Sequence, residues 1–193
     1  PGSTEQLLAV LKEAGAHATF FLVGERAELS PVLVQSIVEA GHEIGNHTFQ
    51  ETPTVKLDDD DARESIERTH EILSAYAEIR WFRPGSARYD DAMLVVADEL
   101  GYRIALADTF PYDTFITSTG FHAWYIRRSV RPGSIIVLHN AHGRGVRAAQ
   151  TLGRVLPRLQ EDGFRVVTLS ELVDDPACTS PDEVARAAAR NAS

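Results

Sequence analysis

An α/β fold with a parallel sheet is predicted by three observations. Stretches with helical apolar spacing alternate along the chain with strand-sized apolar runs, glycine closes most of the helical stretches, and a run of β-branched or aromatic residues follows each stop. The 193 residues, 44% hydrophobic and 24% charged, suffice for one domain that buries a sizeable core without disulfides.

The elements follow in order. Leu7, Leu8, Val10 and Leu11 place a helix over 4–14, Gly15 ends it, and 18–23 reads as a buried strand. A helix over 31–40 stopped by Gly41 leads to a short strand at 42–45. A long helix over 59–76, with Ile66, Ile72 and Leu73 inward, precedes a strand at 79–82. Residues 92–100 form a helix stopped by Gly101, and 103–107 the next strand. A helix near 121–130, a strand at 134–138, a helix over 146–161 stopped by Gly163 and a strand at 164–167 complete the pattern. Such alternation implies helical crossovers, which a barrel and a doubly wound open sheet both satisfy. No glycine-rich phosphate loop follows any strand, which weighs against a nucleotide-binding open sheet. Residues 174–193 are rich in Ala, Asp and Arg with weak apolar periodicity. They read as a peripheral helix or mobile tail, leaving 1–173 as the domain.

Composition removes several classes of partner. With 19 Lys and Arg against 28 Asp and Glu, a net charge of -9, the chain has no general affinity for nucleic acid or anionic lipid. No apolar run approaches the roughly 18 residues of a membrane span, and the longest, at 134–139, is strand-sized. The sole cysteine, Cys178, has no internal partner and reads as a surface or tail thiol. The start at Pro1-Gly2-Ser3-Thr4, without an initiator Met or leader, reads as truncated or processed.

In parallel barrels the residues that act on substrate come from the C-terminal ends of strands. His47 lies two residues past the strand ending at Gly45, Arg83 directly after Trp81-Phe82, Asp108 after Leu106-Ala107, and His139 after Val137-Leu138. Singly, each has a structural alternative: a bonded loop histidine, an arginine closing the turn before Pro84, an aspartate capping the turn before Pro111. Together on one rim they point to a site. Glu51 lies four residues after His47 and shares its face if the loop forms a helical turn, a pairing that suits zinc or a comparable ion; its alternative is a solvated carboxylate. His142 reads as surface, His17 and His70 as structural, and His122 stays unassigned.

These residues sit in stretches that resemble one family. The stretches are Ala18-Thr19-Phe20-Phe21-Leu22-Val23-Gly24, Gly41-His42-Glu43-Ile44-Gly45-Asn46-His47-Thr48, Phe82-Arg83-Pro84, Arg131-Pro132-Gly133-Ser134-Ile135-Ile136-Val137-Leu138-His139, and Gly163-Phe164-Arg165-Val166-Val167-Thr168-Leu169-Ser170-Glu171-Leu172. The chain resembles the polysaccharide deacetylases, carbohydrate esterases that act on chitin and peptidoglycan. The resemblance implies an irregular, incomplete (β/α) barrel of parallel strands whose first strand precedes Pro1. It implies a metal-dependent hydrolase, zinc most of all, that removes N-acetyl groups from amino-sugar polymers; a carbohydrate-binding form without hydrolysis and an O-acetyl xylan esterase are the alternatives. The substrate implied is an acetylated carbohydrate, and the location secreted or cell-envelope.

By the same resemblance His47 is a metal ligand, Arg83 orients the catalytic base, and His139 is the general acid. Asp108 is the first candidate to orient His139, with Asp113 its rival. Glu51 stands where the family has a second metal-binding histidine. Ser86 falls where a main-chain N–H serves the oxyanion, in a Gly85-Ser86-Ala87 loop that departs from the family's sequence. Asn140 replaces an aspartate, which suits substrate binding better than proton transfer. The family's aspartate pair, base and first ligand, would precede Pro1. Trp124, Tyr125, Tyr89 and Tyr112 are candidates to stack on sugar rings, although aromatics at helical spacing more often serve a core.

Overall fold

The computed structural model describes residues 2–51 and 57–175. Cys178 and the predicted tail beyond residue 175 lie outside the described residues. The chain divides into two compact units, Thr19–Leu106 and the combination of Pro1–Ala18 with Ala107–Ser193.

The unit Thr19–Leu106 holds a parallel sheet of four strands in the order β1-β2-β3-β4: β1 (Thr19–Leu22), β2 (Glu43–Asn46), β3 (Trp81–Phe82) and β4 (Arg103–Ile104). The register pairs Leu22 with Asn46, Asn46 with Phe82, and Phe82 with Ile104, so the ends of all four strands align. Helices α2 (Gly24–Leu29), α3 (Pro31–Glu39), α4 (Asp59–Ser74) and α5 (Asp91–Glu99) make the connections. α4 begins where the Asp58 side chain accepts from the Asp61 N–H at 2.9 Å, with three aspartates in the first turn against the helix dipole. Its Ile66 and Leu73 are fully buried, as their spacing predicts, while Ile72 is half-buried.

The other unit contains α1 (Gly2–Glu13), α6 (Thr119–Ser129), α7 (Gly145–Glu161) and α8 (Leu169–Asp174), with α7 packed on both α1 and α6. α1 approaches α7 closely: a Cβ on Gly145 would lie 2.5 Å from Ser3. Thr168 and Glu171 form a reciprocal capping box that starts α8.

Two expectations of element type need correcting. α2 was not predicted; it is a six-residue helix with too few apolar positions to show a period. Conversely, the runs at 134–138 and 164–167 do not form regular strands. Ile136 makes one isolated parallel bridge to Thr109, and Val166 accepts one bond from the His17 N–H at 3.1 Å. Their side chains are partly buried by packing and not by a ladder, because Ile136, Leu138, Phe164 and Val166 lie against the core of Ile126, Val155 and Leu159.

Candidate active site

In the sheet-bearing unit, His47 follows β2 and its N–H donates to Leu22 O at 3.0 Å. The Nδ1–H of its ring donates to the Arg83 carbonyl, 2.5 Å away. That bond selects the tautomer with its lone pair on Nε2, the arrangement metal-binding histidines have when a carbonyl fixes the other nitrogen. The chain beyond is held by Asn46, which is fully buried: its amide donates to Ile66 O and Tyr102 Oη, and its Oδ1 accepts from Thr48 N at 2.9 Å.

Arg83 follows β3, and its own N–H donates to Asn46 O at 2.9 Å. The guanidinium lies 4.0 Å over the Phe21 ring and donates from Nε to Ala105 O at 3.2 Å. Desolvation in this position lowers its pKa to about 10. The approach of Phe21 requires Gly45, where a Cβ would come within 2.8 Å of that ring. Among the described residues no carboxylate pairs with Arg83.

The helical turn supposed between His47 and Glu51 does not form. Thr48 has φ 64, which breaks any helical turn from His47 to Glu51, and the Glu51 carboxylate pairs with Arg26 of α2 at 3.0 Å. Among the described residues no three His, Cys, Asp or Glu side chains gather to hold a metal ion. A catalytic zinc takes three protein ligands, so the described donors do not complete such a site. Ser86 is exposed in a 3₁₀ turn (Gly85–Ala87) with φ 57.

In the second unit His139 is clasped by Asp113. Its N–H donates to Asp113 Oδ2 at 2.7 Å and its ring Nδ1–H to Oδ1 at 2.9 Å. Asp113 is only 4% exposed. Desolvation pushes this carboxyl up, but the two hydrogen bonds and the charges of His139 and His122 outweigh it, so its pKa lies below the ordinary value. Nδ1 being committed, Nε2 is the ring nitrogen left available for proton exchange. Asp108 does not reach His139: exposed, it accepts from Ser134 Oγ at 2.9 Å and Ile135 N at 2.8 Å and faces Arg131 at 3.6 Å. The rival position, Asp113, makes the contact for which Asp108 was the first candidate. Asn140, next to His139, is exposed and donates to Thr4 Oγ1 at 3.3 Å.

A family model described as polysaccharide deacetylase matches residues 1–105, more than half of the chain. The chain belongs to the polysaccharide deacetylase family. It is 30% identical over 176 residues to a peptidoglycan-N-acetylglucosamine deacetylase of Bacillus cereus, covering 90% of this chain and 83% of that one. It is 29% identical to a chitooligosaccharide deacetylase of Sinorhizobium fredii, over 89% of this chain and 86% of that one. A solved structure of a family pseudoenzyme from Bacillus anthracis superposes with TM-score 0.83 at 24% identity, covering 90% of this chain and 61% of that one. This chain thus spans less than two thirds of that structure, and the likeness gives it the α/β fold with parallel strands. The family is one of deacetylases, which are hydrolases and generally metal-dependent, and some of its members are pseudoenzymes.

Two contributors to this chain's geometry escaped sequence reasoning. Arg26, a partner of Glu51, belongs to the unpredicted α2. Tyr102 receives the Asn46 amide at 3.2 Å and donates to His70 Nδ1 at 2.7 Å, and partners this distant in sequence leave no local signal. The remaining histidines fall as read: His142 is exposed, and His17 faces Glu171 at 3.9 Å. His122, unassigned before, is buried between Thr151 and Ile116 O.

Proposed function

We propose that this chain is a hydrolase module that removes N-acetyl groups from amino-sugar polymers of the peptidoglycan or chitin type. The observation that carries the reading is the pair of hydrogen bonds from His139 to the buried Asp113. In this role water adds hydroxyl to the acetyl carbon and yields its proton to a base, the C–N bond breaks, and His139 Nε2 delivers a proton to the departing amine while Asp113 compensates the imidazolium charge. Arg83, cationic with a pKa of about 10, orients an anionic base. The Ser86 main chain faces the developing oxyanion, and Asn140 holds a sugar hydroxyl. Relatives named for peptidoglycan and chitooligosaccharides support the substrate class, and the former support a cell-envelope location. No described helix is long and apolar enough to cross a membrane.

The proposed cofactor is a divalent ion, with zinc favoured by the imidazole donor of His47. Glu51 is a second donor once it leaves Arg26, and the set is completed by ligands outside the described residues.

The test is acetate release from N-acetylglucosamine oligomers by the natural full-length protein and its His139→Ala variant. General acid catalysis contributes about 10²- to 10⁴-fold, and the variant should lose that much. Equal release by both proteins sinks the assignment. The Arg26–Glu51 pair favours a second reading, a carbohydrate binder without hydrolysis, because it occupies a predicted metal donor. Binding of the oligomers by the unmutated protein without any acetate selects that reading.

A further inference from the structure

A cleft of about 440 Å³ opens between α6 and α7, with Trp124 and the arginines Arg127, Arg128, Arg154 and Arg158 among its lining residues. Four arginines converge here in a chain of net charge -9. Two of them are compensated at the edge: Arg127 grips Asp162 at 2.9 and 3.1 Å, and Arg158 meets Glu161 at 2.7 Å. Arg128 and Arg154 form no ion pair among the described residues. Arg154 stands four residues before Arg158 on α7, a like-charge spacing that costs helix stability unless an anion offsets it. Trp124 stands four residues before Arg128 on α6 and is 60% exposed, so an apolar ring face and a free guanidinium share one side of that helix.

A series of ring contacts links the candidate acid to Trp124 of the cleft. Phe110 packs edge-on against the His139 ring at 5.8 Å and meets Tyr112 at 5.3 Å. Tyr112 meets Tyr125 at 5.7 Å, Tyr125 meets Phe121 at 6.1 Å, and Phe121 meets Trp124 at 5.7 Å. Aromatics at the helical spacing of α6 are ordinarily core, yet Trp124 lies exposed, as does Tyr112 in the segment before the helix. A track of rings therefore leads from the reacting histidine to the arginine cleft.

We propose that this cleft binds an anionic sugar residue of a glycan strand. The sugar's apolar C–H face would stack on Trp124, and its carboxylate or phosphate would be gripped by Arg128 and Arg154, whose planar forks match either anion. The proposal takes from the proposed function only that the ligand is a polysaccharide. Binding, not acetate release, scores it, so either idea can fail without the other.

The test measures affinity of the natural full-length protein for three probes. They are peptide-free peptidoglycan strands, which carry carboxylates, a glycerol-phosphate polymer, and neutral chitohexaose. Arg128→Ala/Arg154→Ala should lower the ratio of anionic-probe affinity to chitohexaose affinity roughly tenfold at low salt. Trp124→Ala should weaken the sugar-bearing probes, and its circular dichroism spectrum and unfolding midpoint report that the fold is retained. The anionic probe whose affinity falls identifies carboxylate or phosphate as the natural group. An unchanged ratio for both anionic probes in the arginine variant, or no measurable binding of either to the unmutated protein, overturns the proposal.

Discussion

Asp113 and Asp108 offer a paired test of how the candidate acid is held. Asp113→Asn keeps the shape but one acceptor oxygen in place of two, while His139 presents two donors, at 2.7 and 2.9 Å. Either the main-chain N–H or the ring Nδ1–H must then face an amide NH₂. A bond to a charged group contributes about 1.5–3 kcal/mol, so the variant should lose roughly 1–3 kcal/mol of stability. If the ring yields, it turns to the tautomer with hydrogen on Nε2, and the dyad's share of catalysis, roughly 10²- to 10⁴-fold, goes with it. Asp108→Asn leaves an oxygen to accept from the Ile135 N–H on an exposed turn. It should cost no more than about 1 kcal/mol and change acetate release by less than roughly threefold. Nitrogen-15 NMR of the imidazole reads the tautomer directly, and acetate release and thermal unfolding read the consequences. Were tautomer, acetate release and stability all unmoved by Asp113→Asn, or were Asp108→Asn the more damaging change, the assignment of Asp113 as the positioning residue would be refuted.

Acid provides a second view of the same carboxylate. Its pKa is lowered in the fold, so its stabilisation is fully present above the unfolded value, near 3.9, and is lost as pH falls through the folded value. Below about pH 4 the unfolding free energy of the unmutated protein should therefore drop more steeply than that of Asp113→Asn; parallel curves would remove the linkage. Gly45→Ala forces a Cβ to within 2.8 Å of Phe21 and 3.1 Å of Trp81 O. It should cost about 1–3 kcal/mol in a denaturant titration, and a loss below a few tenths would show that the ring beneath Arg83 moves freely. Arg26→Ala removes a partner of Glu51 whose side chain is 35% exposed; such pairs contribute at most about 1 kcal/mol, so unfolding should barely change while zinc affinity, read by metal titration, rises. Unaltered affinity would show that the pair does not compete with a metal.

Much of the helix and strand order was legible because burial imposes a period. Ile66 and Leu73 are fully buried and Gly15, Gly41, Gly101 and Gly163 all have positive φ after a helix. His47 and Arg83 were legible through position, each just past a strand of the sheet. What failed depends on partners distant in sequence. The run at 134–138 looks like a strand, but a ladder needs a neighbour in register, and here Thr109 alone provides a bridge. The choice between Asp108 and Asp113 depends on the backbone at Tyr112, whose φ is 57. Nothing in a tyrosine announces a left-handed residue, as a glycine would. The positive φ of Thr48 likewise breaks the helical turn on which the pairing of Glu51 with His47 depended.

These left-handed residues form a pattern. The described non-glycine residues with positive φ are Thr48, Ser86, Ala87, Tyr112 and His142, and each is, or lies within two residues of, a candidate site residue or the rival Asp113. Such backbone costs of order 1–3 kcal/mol per residue and persists only where surroundings over-determine it. At Thr48 the surroundings are visible: its hydroxyl bonds to the carbonyls of His47 and Gln50, and its N–H is held by Asn46. Asn46 in turn rests on Tyr102, whose hydroxyl pKa burial pushes up to about 12 while the Asn46 amide pulls it back. At neutral pH that hydroxyl stays protonated and donates to His70 while accepting from Asn46. The orientation of His47 is thus set partly by residues of α4 and the α5–β4 junction that never face the site.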